Sequence, residues 1–361
     1  MKATAQESPE EKPPGQKPQK TPRKPQGQVS GRQADPLFQP RNWSLRTKIS
    51  IVLLLPVVVA LTLAGARIQA ELDQASKLSA VRDQLPVLRG TLDLAGLVDD
   101  EMIAAASGAQ NAGSGNSGLA ARMKAVDDKA AAVQRDADFA RLAPGAGRDL
   151  NVALGRLSAT RTSGASSGTS ENADPLTEAT GYRDIVVALS DVVPGVISAA
   201  GSSYLDGTAR TTGALLQLRA TLASEEALLR ASAANQSDKS LLVAAGRAAS
   251  EEAVLSDQIQ RQLTGADARR FSDATASTGQ RQDALRDALT SGRTSGLNGL
   301  VPPITTESKQ VGGLLDGFSS ALSTTVSERT NQARADALRD AALVLAALLA
   351  ALAIALLTAR S

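Results

Sequence analysis

An all-α fold is what this sequence predicts: antiparallel helical bundles outside a membrane, flanked by two transmembrane helices and preceded by a disordered tail. Three observations predict it. Apolar residues recur at spacings of three and four along the middle of the chain, the helical period. Runs suited to strands are short, the best being Asp184 to Leu189, and it is embedded in helix formers. Two long stretches carry no charge at all.

Residues 1–42 read as a disordered cytoplasmic tail. Eight of the 15 prolines lie there, in basic clusters such as Lys12-Pro13-Pro14 and Arg23-Lys24-Pro25, with too little apolar surface to offset the entropy of folding. The uncharged runs follow at 49–66 and 341–359, each long enough as a helix to cross a hydrocarbon core of roughly 30 Å. Pro56 interrupts the first, which a membrane helix tolerates where neighbours re-satisfy the freed carbonyl. The basic excess before the first run, ending in Arg41, Arg46 and Lys48, places both termini in the cytoplasm. Residues 67–340 then form the extracytoplasmic part, and the expected location is the cell membrane. Trp43 reads as an anchor at headgroup depth.

Within 67–340, Ile68, Leu72, Ala75, Leu78 and Leu85 extend the first run outward as a stalk helix to about Leu97, with Pro86 expected to kink or break it. Gly108 to Gly118 and Thr162 to Pro175 read as loops. Shorter interruptions are expected at Ala143 to Gly147, Val193 to Gly195, Ala234 to Ser237, Gly265, Ser291 to Gly296 and Pro302-Pro303. The last segment carries one apolar stripe, from Val311 through Leu314, Leu315, Phe318 and Leu322 to Val326, that runs on without a breaker into the second span.

Composition narrows the chemistry. The chain has no histidine and no cysteine, so imidazole acid–base catalysis, a phosphoacceptor histidine, thiolate chemistry, zinc clusters and disulfides are all out of reach. No enzyme activity, cofactor or metal is expected. Glu225-Glu226 and Glu251-Glu252 are carboxylate pairs, but neighbours on a helix point about 100° apart and do not converge on one ion. The basic tail lacks interleaved aromatics, which argues against a nucleic-acid partner.

The stretch Trp43 to Ile49, an apolar span with a proline, a long outer helix, and the helices around Leu94–Ala105, Tyr182–Leu189 and Leu215–Ala234 resemble the sensor half of actinobacterial sensor histidine kinases with a nitrate- and nitrite-sensing (NIT) ectodomain. That resemblance implies an arginine grip on a planar oxyanion, since a guanidinium fork matches two oxygens at once. Family members carry a Glu-Arg pair on the first outer helix and another before an Ala-Leu-Leu. This chain has Glu101-Met102 and Glu225-Glu226 at those places. The candidate ligand-binding residues are therefore Arg89, Arg219 and Arg230. Arg230 also stands one turn after Glu226, the spacing of an ordinary helix ion pair.

The functional expectation is a membrane-anchored sensing module for nitrate, nitrite or another small anion. It would act in two-component signalling as a homodimer or through a partner histidine kinase. The alternatives are a scaffolding membrane protein that has lost its ligand and a truncated kinase.

Overall fold

A computed structural model of the chain describes residues 45–108, 116–166, 174–197, 203–291 and 296–360. The chain divides into two compact units, residues 1–58 and 59–361. Of the first unit, the described part is helical from Leu45. The disordered tail expected over 1–42, and Trp43, lie outside the described residues.

Nine α-helices and one 3₁₀ turn make up the described residues, with no strand among them. They are α1 (Leu45–Gly108), α2 (Asn116–Ala140), α3 (Pro144–Ser166), α4 (Pro175–Ile197), α5 (Ser203–Ala234), α6 (Lys239–Gln262), α7 (Gly265–Ala274), α8 (Thr278–Ser291), the turn Leu297–Gly299, and α9 (Val301–Arg360). The all-α expectation holds. Asp184 to Leu189 is helical, and Ile185, Val186, Ala188 and Leu189 supply much of the buried face of α4.

Several helix ends carry visible causes. Pro175 opens α4 at a position where a missing N–H costs nothing. The Asp174 side chain before it accepts from the Leu176 amide at 3.1 Å and from the Thr177 hydroxyl at 2.6 Å. Asp238 caps α6 in the same way, accepting from the Ser240 amide at 2.9 Å, and those bonds pull its carboxyl below the usual range. Beyond the end of α2, Arg141 adopts φ 49°, a left-handed position that glycine favours. Gly265 and Gly296, at φ 63° and 106°, take up left-handed conformations as expected of breakers.

Four prolines behave differently from expectation. Pro86 does not break α1, and Pro194 lies inside α4, which continues to Ile197. Val192, Val193, Val196 and Ile197 are all buried around Pro194, and that packing outweighs one lost backbone hydrogen bond. Pro302-Pro303 interrupts nothing, because it falls in the first turn of α9, where the amides have no intrahelical partner. The expected loop at Thr162 to Pro175 is helical as far as Ser166, and residues 167–173 lie outside the described set.

The two expected spans are not supported. Among the described residues, no helix is long and apolar enough to cross a membrane. Much of each run is outside that description: the side chains at 49–54, 56–57, 352 and 354–359. Among those described, Leu55, Leu63, Leu343, Leu345 and Leu349 are exposed.

The rest of the second unit is held by Ala-, Leu- and Val-rich interfaces that bury nearly every inward side chain. Lys129 on α2 pairs with Asp93 on α1 at 2.7 Å. Glu101 of α1, fully buried, accepts two bonds from Arg161 of α3, at 2.7 and 2.6 Å, and one from the Tyr182 hydroxyl of α4 at 2.7 Å. Arg161 also reaches Asp127 of α2, so one carboxylate and one guanidinium tie four helices together. A second arginine does the same farther along. Arg281 of α8, 1% exposed, donates to Glu225 of α5 at 3.3 Å, to Glu307 of α9 at 2.5 Å and to Glu252 of α6. The Thr278 hydroxyl bonds both Glu252 and Glu307, at 2.9 and 2.8 Å.

Burial pushes the carboxyl of Glu225 well above its usual range, with Arg281 opposing and Glu252 reinforcing the shift; Glu307 is raised for the same first reason. Removing the shared cation leaves three carboxylates buried without it. Arg281→Ala should therefore cost about 3–5 kcal/mol in urea unfolding, whereas an exposed control, Arg269→Ala, should stay within about 0.5 kcal/mol.

Candidate functional site

The three sequence candidates fall in different surroundings. Arg89 is exposed on α1. Arg230 lies near the end of α5, 42% exposed, and its guanidinium grips Glu226 one turn back at 2.6 Å, the helix pair expected from the spacing. Arg219 alone is drawn into the helix packing. It is 24% exposed on α5, and its guanidinium lies across Gly96 of α1 and against Gly312 of α9.

Glycine at position 96 is what allows this. A Cβ there would stand 2.6 Å from Nη2 of Arg219 and 3.1 Å from Cζ, so any side chain at that position would push the guanidinium aside. At Gly312 a Cβ would lie 3.6 Å from Nη1, in ordinary contact. The two glycines and the arginine thus form a slot where α1, α5 and α9 meet.

Asp99 stands one turn beyond Gly96 and closes the slot. Its Oδ2 is 3.1 Å from Nε of Arg219, and its side chain is 3% exposed. The pair is close but poorly aligned: among the described residues, neither carboxylate oxygen of Asp99 nor Nε of Arg219 has a hydrogen-bond partner. A buried carboxylate without hydrogen bonds is costly, and burial accordingly raises the Asp99 carboxyl to about 7 despite the opposing pull of Arg219; Asp100 adds to the rise.

The positions where the family resemblance implies arginine are both buried here and neither is cationic. Met102 is packed in the core, and Glu226 is held by Arg230. Their acidic neighbours Glu101 and Glu225 carry the two arginine pins already described. Sequence reasoning missed Asp99, Arg161 and Arg281. Their partners lie on other helices, Arg161 being 60 residues from Glu101 and Arg281 56 from Glu225, with no local spacing to betray them.

A separate open cleft of about 570 Å³ lies between α7 and α9, lined by Arg270, Phe318, Gly313 and Gly317 among others. Arg270 faces solvent there with Asp267 3.9 Å away. Among the described residues, no group of acidic side chains is placed to hold a metal ion.

The family model described as nitrate and nitrite sensing (NIT) matches residues 100–350 of the chain. Among solved structures, the chain is similar to that of the NasR transcription antiterminator, at 14% identity and a TM-score of 0.63 over 83% of each chain, a likeness of fold. No curated protein matches it by sequence.

The raised Asp99 carboxyl has a consequence for stability. The folded chain keeps this proton up to about pH 7, while the unfolded chain, near its model value of 3.8, has already lost it. Stability therefore falls as pH rises from about 4 to about 7, by up to about 4 kcal/mol. Urea unfolding across that range should show the decline, and Asp99→Asn should flatten part of it and be more stable than wild type above about pH 7.

Proposed function

Because the chain belongs to the nitrate and nitrite sensing (NIT) family, we propose that it is a signalling module that senses a small planar oxyanion, nitrate or nitrite, with Arg219 as the grip. The observation that carries this is the place of Arg219 between α1, α5 and α9. A guanidinium presents paired N–H donors that match two oxygens of a planar anion. Arg219 is partly exposed, so an anion can reach it, and partly enclosed, so the attraction is not lost to solvent screening. Arg89 is too exposed, and Arg230 is committed to Glu226. Arg219 precedes Glu226 by two turns of α5, about 10 Å, and so lies near the place where the family carries its arginine.

Output would pass along α1 and α9. Both helices touch Arg219 in the slot, and elsewhere along their length Arg67 of α1 pairs with Asp340 of α9 at 3.2 Å. A shift of packing around the guanidinium would change how these two helices lie against each other. The receiver would be a second copy of the chain or a partner histidine kinase. The apolar runs at 49–66 and 341–359 would attach the module to a membrane, with both termini cytoplasmic. Exposed Leu343, Leu345 and Leu349 along α9, and the basic residues before the first run, favour that attachment.

Binding to the folded state alone raises its stability by RT ln(1 + [L]/Kd), about 2.7 kcal/mol when free ligand is at a hundred times Kd. A thermal melt of the full chain in nitrate or nitrite at about pH 6, against chloride at equal ionic strength, should show a Tm higher by several degrees. Arg219→Gln should abolish the rise. Equal melting in nitrate, nitrite and chloride would rule out the sensing role and leave a scaffold.

A further inference from the structure

The slot holds one cation and one buried carboxylate, and an incoming oxyanion would be a second negative charge on the same guanidinium. Two anions cannot share Arg219 there without a large desolvation cost. Asp99 has no other support: among the described residues, both its oxygens lack hydrogen-bond partners. The simplest relief is for Asp99 to become neutral as the anion arrives.

We propose that nitrate or nitrite binds together with one proton, which is taken up by Asp99. Above about pH 7, in the anion-free state, the carboxylate of Asp99 balances Arg219. In the bound state the anion balances Arg219, and the protonated carboxyl changes from a competing acceptor into an O–H donor toward the bound oxyanion. Above about pH 7 the net charge of the slot is then zero before and after binding, while below it Asp99 already carries the proton and the anion alone balances Arg219. This coupling rests on Arg219 being the anion's grip.

The surroundings leave Asp99 free to act in this way. On α1, its neighbour Asp100 favours the protonated form, and Glu101 is occupied by Arg161 and Tyr182. On α2, Arg122 donates to the Asp100 carbonyl at 3.1 Å, not to a carboxylate. On α5 the facing charge is Arg219. On α9 the slot is faced by Gly312, and the ionisable residues one turn to either side, Lys309 and Asp316, are exposed. Burial already holds the Asp99 carboxyl at about 7, so little work is needed to keep its proton near neutral pH.

Isothermal titration of the full chain with sodium nitrate, at constant ionic strength in two buffers of different protonation enthalpy, counts the protons directly. Near one proton should be taken up per nitrate at about pH 8 and almost none at about pH 6, with Kd weakening about tenfold for each pH unit above about 7. Asp99→Asn, which keeps a donor, should bind with an affinity that no longer depends on pH, and Arg219→Gln should not bind. The wild-type proton count needs no variant, so a misfolded Asp99→Asn would not leave the question open. Nitrate binding that needs Arg219 but takes up no proton would overturn the coupling and keep the site. Absence of binding to wild type at about pH 6 would overturn both.

Discussion

Arg281 has one positive charge and three buried carboxylates within its reach. The packing of α5, α6, α8 and α9 depends on that imbalance. Glu225, Glu252 and Glu307 come from α5, α6 and α9, and each is turned inward because the guanidinium of α8 is there to receive it. The cluster cannot hold all three as anions at low cost, which is why burial drives the Glu225 and Glu307 carboxyls upward. A core made largely of alanine, leucine and valine offers helices many equivalent ways to slide past one another. A directional network with one correct arrangement removes that freedom.

Glu101 and Arg161 play the same part for α1 to α4. Arg219 and Asp99 stand apart from both clusters. There the cation and the carboxylate are close but misaligned, and the glycine at position 96 leaves room for the guanidinium where it lies. Two arginine clusters that each tie several helices together and one poorly aligned pair make a sensible division. The pins keep the helix groups intact, and the loose pair is where a ligand can change the packing at little cost.

Much of the fold was legible because the helical period and the breakers are strong. The turns around Ala234 to Ser237, Gly265 and Gly296 lie where glycine, asparagine and serine pointed. Pro194 misled because a proline's local cost says nothing about the valines packed around it. The break at Thr275 to Ser277, between α7 and α8, carries no glycine or proline and left no mark. At the carboxylate pairs, the divergence of neighbouring helical residues was readable: Glu252 turns in to Arg281 while Glu251 turns out to Arg183. Which arginine would meet which glutamate was not readable, since those contacts join segments dozens of residues apart. Arg219 could be named from its helix, but its partner Asp99 could not, because the slot exists only once α1, α5 and α9 are packed.

The central claim is that anion capture at Arg219 alters how α1 and α9 lie against each other. The chain has no cysteine, so two can be introduced without background. Lys77 on α1 and Arg329 on α9 are both exposed. Spin labels on Lys77→Cys and Arg329→Cys would report the separation of the two helices by pulsed electron resonance. The account predicts that nitrate at about pH 6 shifts that distance distribution relative to chloride at equal ionic strength, and that Arg219→Gln abolishes the shift. An unchanged distribution in a sample shown to bind nitrate would contradict it.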